Sequence, residues 1–340
     1  MDFWQKLKKP IKIVAPMVGN SDLSWRILSR KYGADVCYTE MVHVESFLQS
    51  KSDPQNNYWF STNKEDKPLI IQICGNNPDK MLEAAEKLQN YCNGIDINLG
   101  CPQPIAKKGY YGAYLQENMS LIYQIVNKLS NNLKVPISCK IRILETLENT
   151  IEYAKMLENA GCSLIAVHGR TREQKGDKTG LANWEIIKKI KESVCIPVIA
   201  NGNMSTKKDI KHCLEYTKCD GIMIAEPHLY NPLLFTHLKL NVLEIFYEYL
   251  NIFTKNDNFL TLIEVKSHAF KLLRNILDFL PEYRFKIGNS KNILNIINVF
   301  YDIIDEILFL ENKSILPQLL KSKSYYRSSY IKMKDVYQTE

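Results

Sequence analysis

The sequence predicts an α/β fold, a (β/α)8 TIM barrel with a C-terminal all-helical domain, and three observations indicate it. Short apolar segments alternate with amphipathic ones about eight times within the first 236 residues, close to the roughly 250 residues typical of such barrels. The apolar segments are continuous rather than alternating, which is typical of parallel strands buried on both faces. Beyond residue 236 the pattern becomes helical, and Gly288 is the only glycine in residues 237–318.

Eight strands and the helices between them follow in order along the chain. The predicted strands span residues 12–16, 35–40, 69–74, 94–98, 137–142, 164–168, 198–201 and 221–225. The clearest helices between them span residues 78–91, 118–131, 147–160 and 207–217. A doubly wound parallel sheet is the alternative, but no G-x-G-x-x-G motif follows the first strand, where a dinucleotide-binding fold carries one.

Four parts of the chain are predicted. They are an N-terminal extension (1–10), the barrel (11–236), a helical domain (237–318) and a basic, polar, tyrosine-rich tail (319–340). The helical domain is expected to hold three or four helices, with Pro281 and Gly288 as breaks between them. Its clearest segments are 243–253, 262–280 and 292–310. A polar insertion at residues 50–67 is long enough to be functional.

Composition excludes several classes of protein. With 340 residues, 45% hydrophobic and 24% charged, the chain lies near the globular average, unlike a disordered, collagenous or coiled-coil chain. The net charge of +7 permits a nucleic-acid partner without requiring one. Residues 237–340 hold 14 Lys and Arg against 12 Asp and Glu, so +5 of the surplus lies in residues 1–236.

The nine cysteines indicate neither a disulfide framework nor a metal site. Their number is odd and no pair has C-x-x-C spacing, which argues against a zinc ribbon or a thioredoxin-like site. We therefore expect reduced cysteines and no bound metal. No run of 18 apolar residues and no apolar core of signal-peptide length occurs, so the expected location is the cytoplasm, with the nucleus as the alternative, and not a membrane.

Polar residues recur where the predicted strands end, at the rim that carries the chemistry of such barrels. Lys140 is costly to bury without a negative partner, and Arg142, two residues on in the same strand, points to the same side. Two adjacent cations favour an anionic ligand such as a phosphate-bearing cofactor, and internal salt bridges are the alternative. Gln72 and His168 lie at strand ends too, although either has an ordinary structural explanation, as a backbone partner or a core histidine.

The segment Asn201-Gly202-Asn203 follows the seventh strand, where barrels of this type commonly bind phosphate. Glycine lets the backbone approach the ligand, and amide N–H groups near a helix start supply donors. Ser205 or Thr206 is the expected N-cap of the next helix. A plain turn is the alternative.

Cys101 differs from the other cysteines, because it lies between a glycine and a proline after a strand rather than inside an apolar run. A loop cysteine at a barrel mouth is a candidate acid, base or nucleophile. The alternative is a small buried hydrophobic residue, which is the expectation for the other eight.

Together these segments resemble the tRNA-dihydrouridine synthases, flavin-dependent enzymes that reduce uridine in tRNA. The resemblance runs from about residue 11 to 236, and the family also has a helical C-terminal domain. It is carried by APMVGNSDLSWR, IIQICGN, GIDINLGCPQPIAKKGYYGAYL, CKIRI, VHGRTREQ, VIANGNM and GIMIAEPHLYNPLLF. The forms CPQ-IAKKG-YGA-L and AE-HLYNP-LF are most similar to the branch that acts on positions 16 and 17 of the D-loop.

The resemblance implies FMN as cofactor, NADPH as reductant and a uridine of tRNA as substrate, and it assigns roles to matching residues. Pro16, Met17 and Val18 would line the isoalloxazine ring, and Gln72 would hydrogen-bond its edge. The implied phosphate-binding groups are Asn201, Gly202 and Asn203 with the backbone of Ala225 and Glu226. The implied residues near the pyrimidine side of the ring and the substrate are Lys140, His168, Asn98, Arg142 and Arg170.

In the implied reaction a hydride from N5 of FMN reaches C6 of uracil, and the thiol of Cys101 gives a proton to C5. A thiol suits this role because it is protonated at neutral pH and can still release its proton. The helical domain would bind tRNA, and the protein is expected to be a monomer. Surface cations could contact tRNA phosphates, although a solvated surface is the alternative for each. They are Lys107, Lys108, Arg172, Lys175, Lys178 and Arg274.

One segment departs from the family pattern. Much of the family ends the eighth strand in Gly-Arg-Gly, whereas this chain has Ala225-Glu226-Pro227, although the 16/17 branch also carries Ala-Glu. The guanidinium is lost and Pro227 has no N–H, so the phosphate is expected on the amides of Ala225 and Glu226 and on a cation from elsewhere. Two other functions stay open: a flavin barrel that reduces a free pyrimidine, of the dihydroorotate dehydrogenase type, and a non-catalytic tRNA-binding relative.

Overall fold

A computed structural model of the chain describes residues 3–50, 61–256 and 262–312. Most of the predicted polar insertion (residues 51–60), the end of the predicted helical domain and the whole predicted tail lie outside the described residues. The remainder forms a parallel barrel followed by a helical region.

Nine strands build the barrel. They are β1 (Ile11–Val14), β2 (Val36–Tyr38), β3 (Val42–His43), β4 (Leu69–Cys74), β5 (Gly94–Leu99), β6 (Ile137–Arg142), β7 (Leu164–His168), β8 (Val198–Asn201) and β9 (Gly221–Ile224). All pairings are parallel, β1 pairs with both β2 and β9, and a further β2–β4 pairing closes the sheet. Because β2 and the two-residue β3 pair in succession with β4, they fill one position, and the predicted eight-stranded barrel is confirmed.

Helices follow the strands around the outside. They are α1 (Leu23–Lys31), α2 (Val44–Gln49), α3 (Pro78–Leu88), α4 (Pro104–Lys108), α5 (Met119–Asn132), α6 (Leu147–Asn159), α7 (Trp184–Ser193), α8 (Lys207–Thr217) and α9 (Glu226–Tyr230). Polar caps start several of them: the Asp22 carboxylate accepts from the N–H of Trp25 at α1, and Thr206 forms a capping box with Asp209 at α8. The expected N-cap of the eighth helix is thus Thr206 rather than Ser205.

The strand ends differ slightly from the prediction. The first strand stops at Val14 rather than residue 16, although the N–H of Ala15 still donates to the carbonyl of Ile224 (2.9 Å). Pro16 has no N–H to continue the ladder, so the backbone is free to turn there. The second predicted strand (35–40) is shorter and resumes after a gap as β3.

Five helices are described after the barrel. They are α10 (Val242–Asn256), α11 (Leu262–Leu272), α12 (Arg274–Phe279), α13 (Pro281–Asn289) and α14 (Ile293–Asn312). The predicted break at Gly288 was wrong, since Gly288 lies inside α13. The predicted count of three or four was wrong because the 262–280 segment is interrupted at Leu273 and a further short helix begins at Pro281. Proline is well tolerated at the first position of a helix, where its missing N–H has no partner to lose.

The helical region shares a hydrophobic core with the barrel. Trp25 and Leu28 of α1, and Tyr32 at its C-cap, are buried in one cluster with residues of α9 to α14. The Trp25 ring stacks on the imidazole of His268 in α11, with centroids 4.4 Å apart. The His268 Nε2 lies 2.5 Å from the Oδ2 of Asp22, and both side chains are almost completely buried. The two parts are therefore packed against each other through α1.

The described end of the polar insertion is tied to α1 by buried charges. Arg26 Nη2 lies 2.6 Å from Asp66 Oδ2, and Arg30 Nη2 lies 3.0 Å from Asp66 Oδ1. Arg26 also donates to the carbonyls of Ser21 and Ser61, so its guanidinium connects α1 to the preceding loop and to the insertion.

All nine cysteines are free, but not all lie in the core. Cys195 is exposed and Cys92 is half-buried, so the expectation of eight core cysteines was wrong. Cys195 lies in the connection between α7 and β8, where Val194 faces inward and the next residue faces solvent. Among the helices in residues 3–50, 61–256 and 262–312, none is both long and apolar enough to cross a membrane.

Candidate active site

The carboxyl ends of the strands bring most of the predicted site residues to one barrel mouth. Asn98 of β5 lies in register with Lys140 of β6. Arg142 lies in register with His168 of β7, and His168 with Asn201 of β8. Residues far apart in sequence thus occupy adjacent positions on neighbouring strands.

A buried polar network forms beneath this mouth around Asp96. Its Oδ2 accepts from Gln72 Nε2 (2.8 Å), its Oδ1 accepts from Ser138 Oγ (2.7 Å), and Asn98 Nδ2 donates to Gln72 Oε1 (2.8 Å). Burial raises the pKa of Asp96 to about 6, against the two hydrogen bonds and the nearby charge of Lys140. Within the described part of the chain, Gln72 Nε2 donates only one of its two amide hydrogens, the one bonded to Asp96.

Asp96 was missed by the sequence reasoning. Its signal was the same as that of Lys140, namely an ionisable residue inside an apolar strand segment, here GIDIN.

Lys140 reaches from the middle of β6 into the mouth. Its Nζ donates to Asn201 Oδ1 (3.2 Å), and Asn201 Nδ2 donates to the carbonyl of Met223 (2.7 Å). Burial and then the charge of Arg142 lower the pKa of Lys140 to about 8, although Asp96 opposes the shift. The ammonium is therefore poorly compensated, and an added anion would stabilise it.

The Arg142 side chain makes more hydrogen bonds within the protein than predicted. Its side chain is 8% exposed and donates to three main-chain carbonyls at 2.7–3.1 Å. The carbonyls belong to Gly100, Thr171 and Gln174. The guanidinium thus holds two rim loops together instead of pairing with a carboxylate, as the salt-bridge alternative required.

Arg170 is also buried, at 2% exposure. It donates to the carbonyl of Gly180 through Nε and Nη2, and to Asn203 Oδ1 through Nη2 (2.7 Å). Both arginines therefore contribute positive charge to the mouth and fix its loops.

His168 is a neutral imidazole in this setting. Burial, followed by the charges of Arg142, Lys140 and Arg170, lowers its pKa well below the ordinary value. Its Nε2 lies 2.9 Å from Arg170 Nη1. A guanidinium can only donate, so Nε2 is the acceptor and the proton sits on Nδ1.

Cys101 lies half-buried on the loop between β5 and α4. Its N–H donates to Asn98 Oδ1 (2.9 Å), and its carbonyl accepts from the N–H of Ala113 (3.1 Å). Gly112, with φ +64°, packs so closely that an added Cβ would lie 2.8 Å from the Cys101 carbonyl oxygen. The charges of Lys140 and Arg142 interact with the Cys101 thiol, which locates it at the same mouth.

The Asn201-Gly202-Asn203 segment turns sharply after β8. Gly202 has φ +114°, and an added Cβ would lie 2.7 Å from the Ala182 Cβ, so only glycine fits. The side chain of Asn203 is occupied by Arg170 and by the backbone of Ala182. The side chain of Asn203 therefore shapes the loop.

Two further loops border the mouth. After β1, Met17–Asn20 form a turn in which the N–H of Asn20 donates to the Met17 carbonyl (3.0 Å), and Val18 is 68% exposed. After β9, Ala225 directly precedes α9, which begins at Glu226. The predicted apolar wall and the predicted phosphate-binding amides thus lie on adjacent loops, since β1 pairs with β9.

A cleft of about 390 Å³ opens beside the Cys101 loop. It is lined by Lys107, Tyr110, Tyr114, Glu117, Arg172, Glu173 and Lys175. The Arg172 guanidinium lies over the Tyr114 ring, 4.9 Å from its centroid, and Lys175 Nζ donates to the carbonyl of Pro102 (2.7 Å). Three of the six predicted surface cations therefore converge here, whereas Arg274 of α12 lies over the Tyr230 ring of α9.

The chain resembles known proteins over most of its length. The family model described as dihydrouridine synthase (Dus) matches residues 13–306. A tRNA-dihydrouridine(16/17) synthase from Schizosaccharomyces pombe is 44% identical over 303 residues, covering 85% of this chain and 75% of that protein.

A mouse protein named tRNA-dihydrouridine(16/17) synthase-like is 42% identical over 293 residues, which is 86% of this chain. The aligned part spans 61% of the mouse protein's length. Among solved structures, a histamine dehydrogenase from Rhizobium sp. 4-9 aligns with a TM-score of 0.50 and 12% identity, over 71% of this chain and 48% of that one. That likeness concerns the fold alone.

Proposed function

The chain belongs to the dihydrouridine synthase family, and from this premise we propose that it is an FMN-dependent tRNA-dihydrouridine synthase. It reduces the C5–C6 double bond of uridine at positions 16 and 17 of the D-loop, with NADPH as reductant. One observation carries the proposal: Cys101, Lys140 and His168 lie at one barrel mouth, in a chain that is 42–44% identical to relatives named for positions 16 and 17.

The side chains at the mouth fit FMN. A phosphate monoester requires N–H donors and positive charge, and three buried or half-buried cations supply the charge. An isoalloxazine ring requires an apolar wall and polar groups at its edge, which Val18, the His168 Nδ1–H and the free amide hydrogen of Gln72 provide. The residues proposed to hold FMN are Pro16, Met17, Val18, Gln72, Lys140, His168, Asn201, Gly202, Asn203, Ala225 and Glu226.

When bound, FMN supplies the hydride for C6 of the uracil ring. The Cys101 thiol supplies the proton for C5 from the loop whose backbone Asn98 holds in place. Lys140, with its poorly compensated charge, stabilises negative charge that develops next to it. His168 donates a hydrogen bond through Nδ1, and Asn98, Arg142 and Arg170 shape the substrate side.

The substrate base must leave its stack in the tRNA to reach this mouth, at a cost of a few kcal/mol. The cleft beside Cys101 suits nucleotides near the target, because tyrosine rings can stack on bases and the cations can meet phosphates, with Arg172 exchanging its ion pairs to Glu117 and Glu173. We propose that this cleft and the helical region together hold the tRNA.

The deciding experiment maps dihydrouridine in tRNA that lacks it, before and after incubation with the protein and NADPH. We expect new dihydrouridine at positions 16 and 17 and a purified protein with flavin absorbance. Reduction of free uracil or orotate without tRNA would instead support the free-pyrimidine reductase. Tight tRNA binding by a protein that takes up no flavin would support the non-catalytic relative.

Replacing Arg172 with alanine tests the cleft. We expect KM for tRNA to rise about three- to tenfold with kcat unchanged, because a phosphate contact contributes binding and no chemistry. The slope of log affinity against log salt concentration should fall by about one. Lys211→Ala is the matched control, since Lys211 is an exposed cation on α8 paired with Glu215. A loss of kcat at unchanged KM would remove Arg172 from the tRNA surface.

A further inference from the structure

The turn Met17–Asn20, which carries the proposed flavin wall, is held from outside the barrel by α11. Asn20 Oδ1 accepts hydrogen bonds from Ser267 Oγ (2.9 Å) and from Lys271 Nζ (2.8 Å). Lys271 Nζ also donates to Ser267 Oγ (2.6 Å). Ser267 and Lys271, four residues apart on α11, therefore donate hydrogen bonds to the same oxygen of this loop.

The other end of the Asn20 amide reaches the wall itself. Asn20 Nδ2 donates to the carbonyl of Val18 (3.2 Å). Val18 is 68% exposed, so packing against neighbouring side chains does little to fix its position. The amide thus forms a continuous link from α11 to the backbone of Val18.

The rest of the loop is anchored on both sides. Asp22 Oδ1 accepts from the N–H of Trp25 (2.9 Å), while its Oδ2 lies 2.5 Å from His268 Nε2 of α11. From the barrel side, burial raises the pKa of Glu40, and the nearby backbone N–H groups of Gly19 and Ser21 oppose this shift. Asn20 is therefore held between a fixed barrel group and α11.

Lys271 also faces the second loop of the proposed cofactor site. Burial lowers its pKa, and the charge of Glu226 at the start of α9 opposes the shift. The ammonium is bonded to the loop after β1 through Asn20, and α11 packs against α9, which follows β9.

We infer that Asn20, Ser267 and Lys271 are positioning residues for FMN, through which α11 sets the place of the Met17–Val18 wall. This inference rests on the proposed function, since it takes the wall to contact the flavin. It gives the helical region a role in cofactor binding as well as in tRNA binding, so a shift of α11 is transmitted to the flavin.

The test is a double-mutant cycle read as FMN affinity. FMN is titrated onto flavin-free protein, followed by flavin fluorescence, for wild type, Asn20→Ala, Lys271→Met and the double variant. Each single change is expected to raise the Kd for FMN about tenfold. This is the loss of affinity expected when one hydrogen bond to a charged group is removed. The double variant should be no worse than either single one, because both remove the same link.

Two further variants separate positioning from general stability. Lys266→Met is the matched control, because Lys266 lies on the same helix but donates to the Gly288 carbonyl. It should leave Kd within about twofold of wild type, which is within the range of an uninvolved surface residue. Lys271→Arg keeps a charged donor and should therefore keep most of the affinity for FMN. If the three residues had only a structural role, their replacement would change Tm and leave Kd and the bound-flavin spectrum unaltered.

The inference would be overturned if both single variants had the wild-type Kd for FMN. It would also be overturned if the increases in Kd of the two single variants multiplied in the double variant. Either result would leave the proposed function intact. A wild-type protein that binds no FMN would overturn both.

Discussion

Replacing Cys101 with alanine is expected to lower dihydrouridine formation by about 10²- to 10⁴-fold, the usual contribution of a positioned general acid. The residues proposed to hold FMN lie on other strand ends, so the variant should still bind FMN and be reduced by NADPH. The measurement is a pair of half-reactions: bleaching of the flavin by NADPH, then its reoxidation by tRNA. Only the second should fail.

Cys74→Ala is the control for this variant, because Cys74 is buried in the same small cluster as Cys101 but lies within β4. It should keep turnover close to wild type. If Cys101→Ala also keeps full turnover, the proton comes from another group and the proposed role of Cys101 is wrong.

Replacing Lys140 with methionine is expected to weaken FMN binding and to slow the reoxidation of flavin by tRNA, together by about 10²- to 10³-fold, comparable to the loss of a donor that stabilises developing charge. Methionine keeps the length of the side chain and removes its charge. Stopped-flow absorbance and an FMN titration measure the two effects separately.

The same side chain predicts a pH dependence. The pKa of Lys140 is lowered to about 8, so the ammonium is present below pH 8 and lost above it. The affinity of the wild-type protein for FMN should therefore fall as pH rises through about 8. Lys140→Arg should remove this step because a guanidinium stays protonated, and Lys140→Met should be weak at every pH. An identical pH step in Lys140→Met would assign it to another group.

The barrel could be predicted because its strands are buried on both faces, which leaves continuous apolar runs in the sequence. The helical region was harder, since Pro281 is compatible with either the end or the start of a helix. Likewise, nothing local marks the interruption at Leu273, which packs completely buried in the shared core. Tertiary packing decides such boundaries.

Most residues of the candidate site could be predicted from the sequence, but the contacts that they make could not. The spacing of Lys140 and Arg142 correctly indicated two cations on one side of a strand, since side chains two residues apart share a face. It could not indicate that Arg142 donates to carbonyls of two distant loops. The contact of Asn20 with Lys271 spans 251 positions, and no local pattern reports such a pair. The roles proposed for these residues remain predictions.

The core shared by α1 and the helical region has a consequence for synthesis on the ribosome. Chains emerge from the N-terminus and domains tend to fold in that order. When the barrel has emerged, Trp25, Leu28 and Tyr32 still lack the residues of α10 to α14 that cover them. The nascent barrel therefore presents an aromatic surface to solvent until the residues of α10 to α14 emerge and cover it.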